Sequence, residues 1–189
     1  MTAASTSSEA TLLTAEDLLR LSDDRRGELI RGVLCEMPPT GQRHGQIAIR
    51  LGMRVGAFVE ARRLGTVVGA ETGVQLERHP DTVRAPDFAY TSYERLPGGA
   101  VVDTYAQEVP ELVAEVVSPS DRRGDVYDKA RMWLSFGVLL VWVVFPASRT
   151  VEVHRAGADD VETLTEADSL DGAPVLRRFA YPLSELFAP

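Results

Sequence analysis

Three residues stand out for their chemistry: two acids in apolar surroundings and a lysine without companions. Of the twenty Lys and Arg residues, nineteen are arginine and only Lys129 is lysine. Lysine offers a compact ammonium whose pKa can be tuned, whereas guanidinium is broad and always charged. A position that keeps lysine in an arginine-using chain is therefore a candidate for catalysis. Asp87 lies in Val83-Arg-Ala-Pro-Asp-Phe-Ala-Tyr. Read as one strand, Val83 to Thr91 alternates so that Val83, Ala85, Asp87 and Ala89 share a face. Glu115 sits within Val113-Ala-Glu-Val-Val. A carboxylate buried in either place needs a hydrogen bond, a cation or a metal to offset its lost hydration.

Two carboxylates on neighbouring strands can hold one hard divalent cation, since Mg²⁺ prefers oxygen ligands and keeps several waters. Such a cation acidifies a bound water and neutralises charge on a phosphodiester, while a nearby ammonium stabilises the pentacovalent transition state. Asp87, Glu115 and Lys129 are the minimum set for that chemistry. The competing reading of Lys129 is an i,i+4 pair with Asp125, worth about 0.3–0.5 kcal/mol.

Other residues are weaker candidates. His44, near the start of a long helical pattern, has the chemistry to contact a phosphate or serve as an ancillary base, although a lone histidine there more often caps or packs. Ser118 and Ser120 precede a second helical pattern, where they would either cap it or offer hydroxyls and amides to a phosphate. Cys35 has no paired histidine in register, and one cysteine with three histidines makes a structural zinc site improbable. The net charge of −8 argues against a protein that simply coats nucleic acid. Local arginines at Arg43/Arg50/Arg54, Arg62/Arg63 and Arg122/Arg123 temper that, because phosphate contact depends on a patch and not on the sum.

The elements that must position these residues are legible in outline. The 189 residues, 44% hydrophobic, suit a single domain over 14–189. Residues 1–13 are small and polar, without a secretory pattern, and are expected to form a disordered tail of a cytoplasmic protein. Thr14 begins a capping box for a short helix. Glu28 to Met37 reads as a hairpin turning at Arg31-Gly32 and stopping at Pro38-Pro39. From Gly41 to Arg63, Ile47, Leu51, Val55, Phe58 and Val59 recur at helical spacing. Gly45, Gly52 and Gly56 in that helix suggest close packing on their side. Strands are expected near 66–68, 73–77 and 83–91, then a long loop from Tyr93 to Val109 carrying Pro97-Gly98-Gly99. The apolar runs from Glu111 to Val117 and from Val138 to Phe145 suit central strands covered on both faces. Between them a helix runs to about Phe136, with Val126, Ala130, Trp133 and Leu134 on its core face. A hairpin at 151–154 and 161–164 and a helical turn at Leu183 to Phe187 complete the chain.

Ala85-Pro86-Asp87, the segment Val113-Ala-Glu-Val-Val-Ser-Pro-Ser-Asp121, Asp128-Lys129 and Trp142 together resemble the bacterial restriction endonuclease (Uma-type) family. Glu28-Leu-Ile-Arg-Gly32 and Arg43-His44-Gly45 match its pattern too. The resemblance covers residues 14 to 155 and places the chain in the PD-(D/E)XK nuclease superfamily. It implies an α/β fold, a restriction-endonuclease-like three-layer core in which a central mixed β-sheet is flanked by helices. It further implies a Mg²⁺-dependent endonuclease acting on DNA, with Mn²⁺ able to substitute. Asp87 and Glu115 would be the metal ligands and Glu28 an additional acid. The superfamily places its lysine two residues after the second acid, where this chain has Val117, so Lys129 would substitute from the following helix. A homodimer is expected because cutting both strands needs two sites. The rival expectations are a catalytically silent binding module on the same fold and a hydrolase of another phosphoester.

Overall fold

The computed structural model describes residues 12–21, 26–96 and 102–189. Residues 1–11 of the expected tail, and the Pro97-Gly98-Gly99 stretch, lie outside the described residues. The chain begins with α1 (Ala15–Leu19), β1 (Gly27–Ile30), β2 (Val33–Glu36) and the long helix α2 (Gln42–Arg62). It continues through β3 (Gly65–Gly69), β4 (Val74–Glu77), β5 (Thr82–Arg84), β6 (Phe88–Ser92) and β7 (Leu112–Val116). Then come α3 (Arg123–Ser135), β8 (Leu140–Phe145), β9 (Thr150–Arg155) and β10 (Glu162–Thr165). The last elements are β11 (Ser169–Gly172), β12 (Leu176–Pro182) and α4 (Leu183–Leu186).

Six strands form a mixed sheet in the order β10-β9-β8-β7-β6-β3, with β7 and β8 parallel and every other pair antiparallel. Strand β7 is buried along its whole length, which explains why its sequence, Glu115 apart, is apolar instead of alternating. One face of the sheet presents Phe88, Tyr90, Leu112 and Trp142 to Ile47, Leu51, Val55 and Val59 of α2. The opposite face presents Ala89, Val113, Val141 and Val143 to Ala130 and Trp133 of α3. Helix, sheet and helix are therefore three layers around two apolar seams. A smaller sheet, β2-β1-β5-β4, flanks this core. The β1–β2 hairpin turns through Arg31 (φ 49°) and Gly32 (φ 81°) as its sequence suggests.

Several expectations need correction. The segment from Val83 to Thr91 is two strands belonging to different sheets, separated at Ala85-Pro86-Asp87. Pro86 has no N–H for a ladder, so the alternation argument that placed Asp87 in mid-strand fails. The three α2 glycines do not behave alike. A Cβ at Gly56 would meet the Val67 side chain at 3.5 Å, and one at Gly52 would reach Phe88 at 3.9 Å, but Gly45 faces open space. Ser118 and Ser120 do not cap α3. That helix starts later, with Arg122 at its N-cap and no side-chain capping bond, while the Ser118 amide donates to Asp121 Oδ2 at 2.8 Å. The β11–β12 pair, unforeseen in the sequence, contributes Leu170, Leu176, Phe179 and Tyr181 to the core on the α2 side.

A second polar feature lies under α3. Glu115 pairs in register with Val143, and Val143 with Glu152, so both acids point to the α3 face in one row across three strands. Glu152 Oε1 accepts from Tyr127 Oη at 3.0 Å and from Arg123 Nη2 at 3.3 Å. His154 Nε2 stands 3.6 Å from Glu152 Oε2.

Leu51, fully buried between α2 and the sheet, tests this seam. Leu51→Ala is expected to cost about 2–5 kcal/mol, read from urea unfolding as a lower midpoint with an unchanged slope.

Candidate active site

The two acids meet because of strand register. Phe88 of β6 is paired with Ala114 of β7, so Asp87, one residue before β6, arrives at the end of β7 beside Glu115 and Val116. With the ladder broken at Pro86, Asp87 caps the end of the strand pair. Its Oδ2 accepts the Val116 amide at 2.7 Å and stands 3.1 Å from His44 Nε2. Helix α2 supplies that imidazole from its first turn and keeps it buried.

Glu115 is 8% exposed, and its partners come from α3. Lys129 Nζ donates to Oε2 at 2.9 Å and Trp133 Nε1 to Oε1 at 2.7 Å. The two donors are four residues apart, which sets them one above the other on a helix face. Lys129 also stands 3.3 Å from Glu28 Oε1 and donates to the Ala85 carbonyl at 3.4 Å. Glu28, buried in β1, receives the Ala85 amide on Oε1 at 2.9 Å and faces Arg84 Nε across 3.1 Å from Oε2. The small sheet thus delivers Glu28 and Arg84, the large sheet Asp87 and Glu115, and the two helices His44 and Lys129.

Burial pushes the Glu115 carboxyl up to about 7, and the Asp87 charge adds to the rise, against the pull of the Lys129 ammonium. Burial also works against the charge on Lys129, but Glu115 and Glu28 outweigh it and hold the ammonium above its ordinary range. The lysine is therefore charged at neutral pH, and Glu115 is the member of the pair poised to exchange a proton there. The hydrogen bond to Asp87 raises the His44 imidazole despite its burial, helped by the charges of Asp87, Asp121 and Glu115.

All four acid and lysine candidates, Asp87, Glu115, Lys129 and Glu28, come together, and His44 joins them. Ser118 and Ser120 stand at the turn after β7, where the Ser118 amide donates to Asp121. Of the arginines, Arg50 bonds the Pro189 carbonyl at 3.0 Å and Arg54 pairs with Glu185, so both are engaged by the last residues of the chain. Arg62 covers the Phe58 ring, with Cζ 3.9 Å from its centroid. Trp133 and Arg84 were missed. The i,i+4 spacing from Lys129 to Trp133 was the signal available for the tryptophan.

Among the described residues no group of three or more His, Cys, Asp or Glu side chains is arranged to hold a metal ion. The donor set on offer is two carboxylates, of which Asp87 keeps Oδ1 clear of the bonds to Oδ2. Two carboxylates with waters filling the remaining positions suit Mg²⁺ and do not suit a metal wanting nitrogen or sulfur ligands.

The structure is thus a three-layer α/β core with paired acids and a lysine gathered at the break of a strand. The chain belongs to the Uma2 family, described as "Putative restriction endonuclease", whose model matches residues 15–184. It is also similar to the crystal structure of a "putative nuclease belonging to DUF820" from Anabaena variabilis ATCC 29413. The TM-score is 0.78 at 21% identity, covering 93% of this chain and 97% of that one. No curated protein matches.

The His44–Asp87 contact has a direct test. In Asp87→Asn the His44 imidazole faces a neutral amide in place of the carboxylate, so it loses the charge that helps to raise it while its burial stays. Its titration midpoint, followed by NMR of the ring Cε1–H, is expected to fall below the native one.

Proposed function

We propose that this chain is a Mg²⁺-dependent endonuclease hydrolysing DNA phosphodiester bonds. The observation that carries the reading is the convergence of Asp87, Glu115 and Lys129 from a strand break, a buried strand and a facing helix. Bound by Asp87 and Glu115, Mg²⁺ or Mn²⁺ would neutralise charge on the scissile phosphate and acidify a water. The chain's own groups do the rest. Val116 and His44 fix the Asp87 carboxylate through Oδ2, leaving Oδ1 for the cation. Glu28 retains the Lys129 ammonium within the site when Glu115 turns to its ligand role. The ammonium then donates to a non-bridging phosphate oxygen, where charge accumulates in the transition state. His44, on the far side of Asp87, contacts a neighbouring phosphate in its charged form. The family's description supports DNA as substrate, and the exposed Arg43, Arg122 and Arg123 supply cationic contacts that offset the net charge of −8.

The protein acts in the cytoplasm as a homodimer, one site per strand. No helix among the described residues is long and apolar enough to cross a membrane. Light scattering is expected to give twice the chain mass.

Purified protein is expected to nick supercoiled plasmid with Mg²⁺ or Mn²⁺ and to stop in EDTA. Asp87→Ala, Glu115→Ala and Lys129→Ala should each lose at least about 100-fold in rate, of the order of removing one charge-stabilising group. Metal binding in the wild type without cleavage of DNA, RNA or small phosphodiesters would favour the silent binding module.

The acidity of Glu115 sets the pH profile. Its carboxyl, pushed up to about 7, must lose a proton to bind the cation, so protons compete with metal below that value. Mg²⁺ affinity by calorimetry is expected to rise about tenfold per pH unit below pH 7 and to level off above it. In the metal-free protein the sign reverses. A raised carboxyl stabilises the fold fully below its ordinary value of 4.5, and that contribution declines as pH climbs through about 7.

A further inference from the structure

We infer that Trp133 is a positioning residue for the metal-binding carboxylate, and that its indole N–H, not its bulk, is what the site requires. The inference rests on the proposed function above and adds a residue that neither the sequence pattern nor the family description singles out. The indole is fully buried, and its Nε1 donates to Glu115 Oε1 at 2.7 Å. The chain's other tryptophan supplies the contrast. Trp142 is equally buried, packs on Phe179 with ring centroids 5.9 Å apart, and leaves its Nε1 without a partner. A buried indole thus goes without a hydrogen bond on the other face of the same sheet, whereas at Trp133 the ring is turned so that its only donor meets an acid.

The chemistry of that donor suits a cation site. Glu115 has two oxygens and two donors, an ammonium on Oε2 and an indole on Oε1. A divalent cation approaching Glu115 is repelled by the ammonium but not by the neutral N–H. Lys129 can give way because Glu28 and the Ala85 carbonyl remain within its reach. Trp133 has no reason to move, and it holds the carboxylate in one rotamer whether or not the cation is present. Partners of ligating carboxylates that fix their orientation typically change metal affinity 10–100-fold when removed.

The test replaces one atom. Trp133 is substituted, at that position alone, by 3-benzothienylalanine, in which sulfur takes the place of N–H at nearly constant shape, and Trp133→Phe is made beside it. The thermal midpoint of the analogue protein should stay within a few degrees of wild type. Its Mn²⁺ affinity, by calorimetry, should fall about 10–100-fold. In the wild type the Trp133 indole N–H resonance should shift as Mn²⁺'s diamagnetic counterpart Mg²⁺ is added, while that of Trp142 stays put. In Glu115→Gln the Mg²⁺-induced shift should disappear. Equal Mn²⁺ affinity in the analogue and wild type overturns the role of Trp133 and leaves the nuclease reading intact. A wild type that binds no metal overturns both. Metal binding that weakens in the analogue, in a protein that cuts no DNA, upholds Trp133 while the nuclease reading fails.

Discussion

A carboxylate in the middle of a fully buried strand needs partners, and the need at Glu115 organises much of this molecule. Leu112, Val113, Ala114 and Val116 around it have apolar side chains, and the Val116 amide is already given to Asp87. Compensation has to arrive from another layer, and α3 supplies it with an ammonium and an indole from adjacent turns. Removing one member of such a buried pair typically costs about 3–5 kcal/mol, because the other is left uncompensated. The position of α3 on the sheet, the choice of lysine at 129 and the delivery of Glu28 by the smaller sheet all serve that acid. Its environment also keeps the carboxyl close to the point of exchanging a proton, which a purely structural ion pair would not require.

Pro86 has a comparable influence on the other acid. By ending one strand and releasing the chain into another sheet, it leaves Asp87 at a ladder end, where a backbone amide and an imidazole can both reach Oδ2. An aspartate paired in mid-ladder would have pointed into the apolar seam under α3. The site is thus assembled at a discontinuity, where two sheets and two helices each contribute one or two groups. Function concentrates at such places because regular elements satisfy their own backbone and leave little for a ligand.

Much of this was legible in the sequence. The solitary lysine, the acids in apolar runs, the amphipathic α2 and the β1–β2 turn are local signals, and local signals survive folding. What stayed hidden depends on partners far along the chain. Glu28 and His44 become meaningful only when β1 and α2 are brought to Asp87 and Lys129. Trp133 looked like core because an aromatic at a core-facing helix position reads the same whether or not its nitrogen finds an acid. The buried Glu152 and His154 gave no warning either, since strand alternation treats an acid as solvent-facing unless something covers it. Pro86 is visible in the sequence, but the alternation on either side of it reads as one continuous strand and hides the break between two sheets.

The row formed by Glu115, Val143 and Glu152 has a further consequence for α3. Lys129 and Trp133 descend on one acid, Tyr127 and Arg123 on the other, so the helix is held at two polar points along different flanks. Apolar contacts alone would tolerate a small roll or a slide of α3 over valines of similar size. Here a roll that improves one set of bonds stretches the other, and a slide of one turn would set the wrong side chains over both acids. The helix is indexed on the sheet much as a key is indexed by two separated cuts. The ammonium at 129 therefore inherits part of its placement from Tyr127 and Arg123 on the same helix, whose partner Glu152 lies two strands from Glu115.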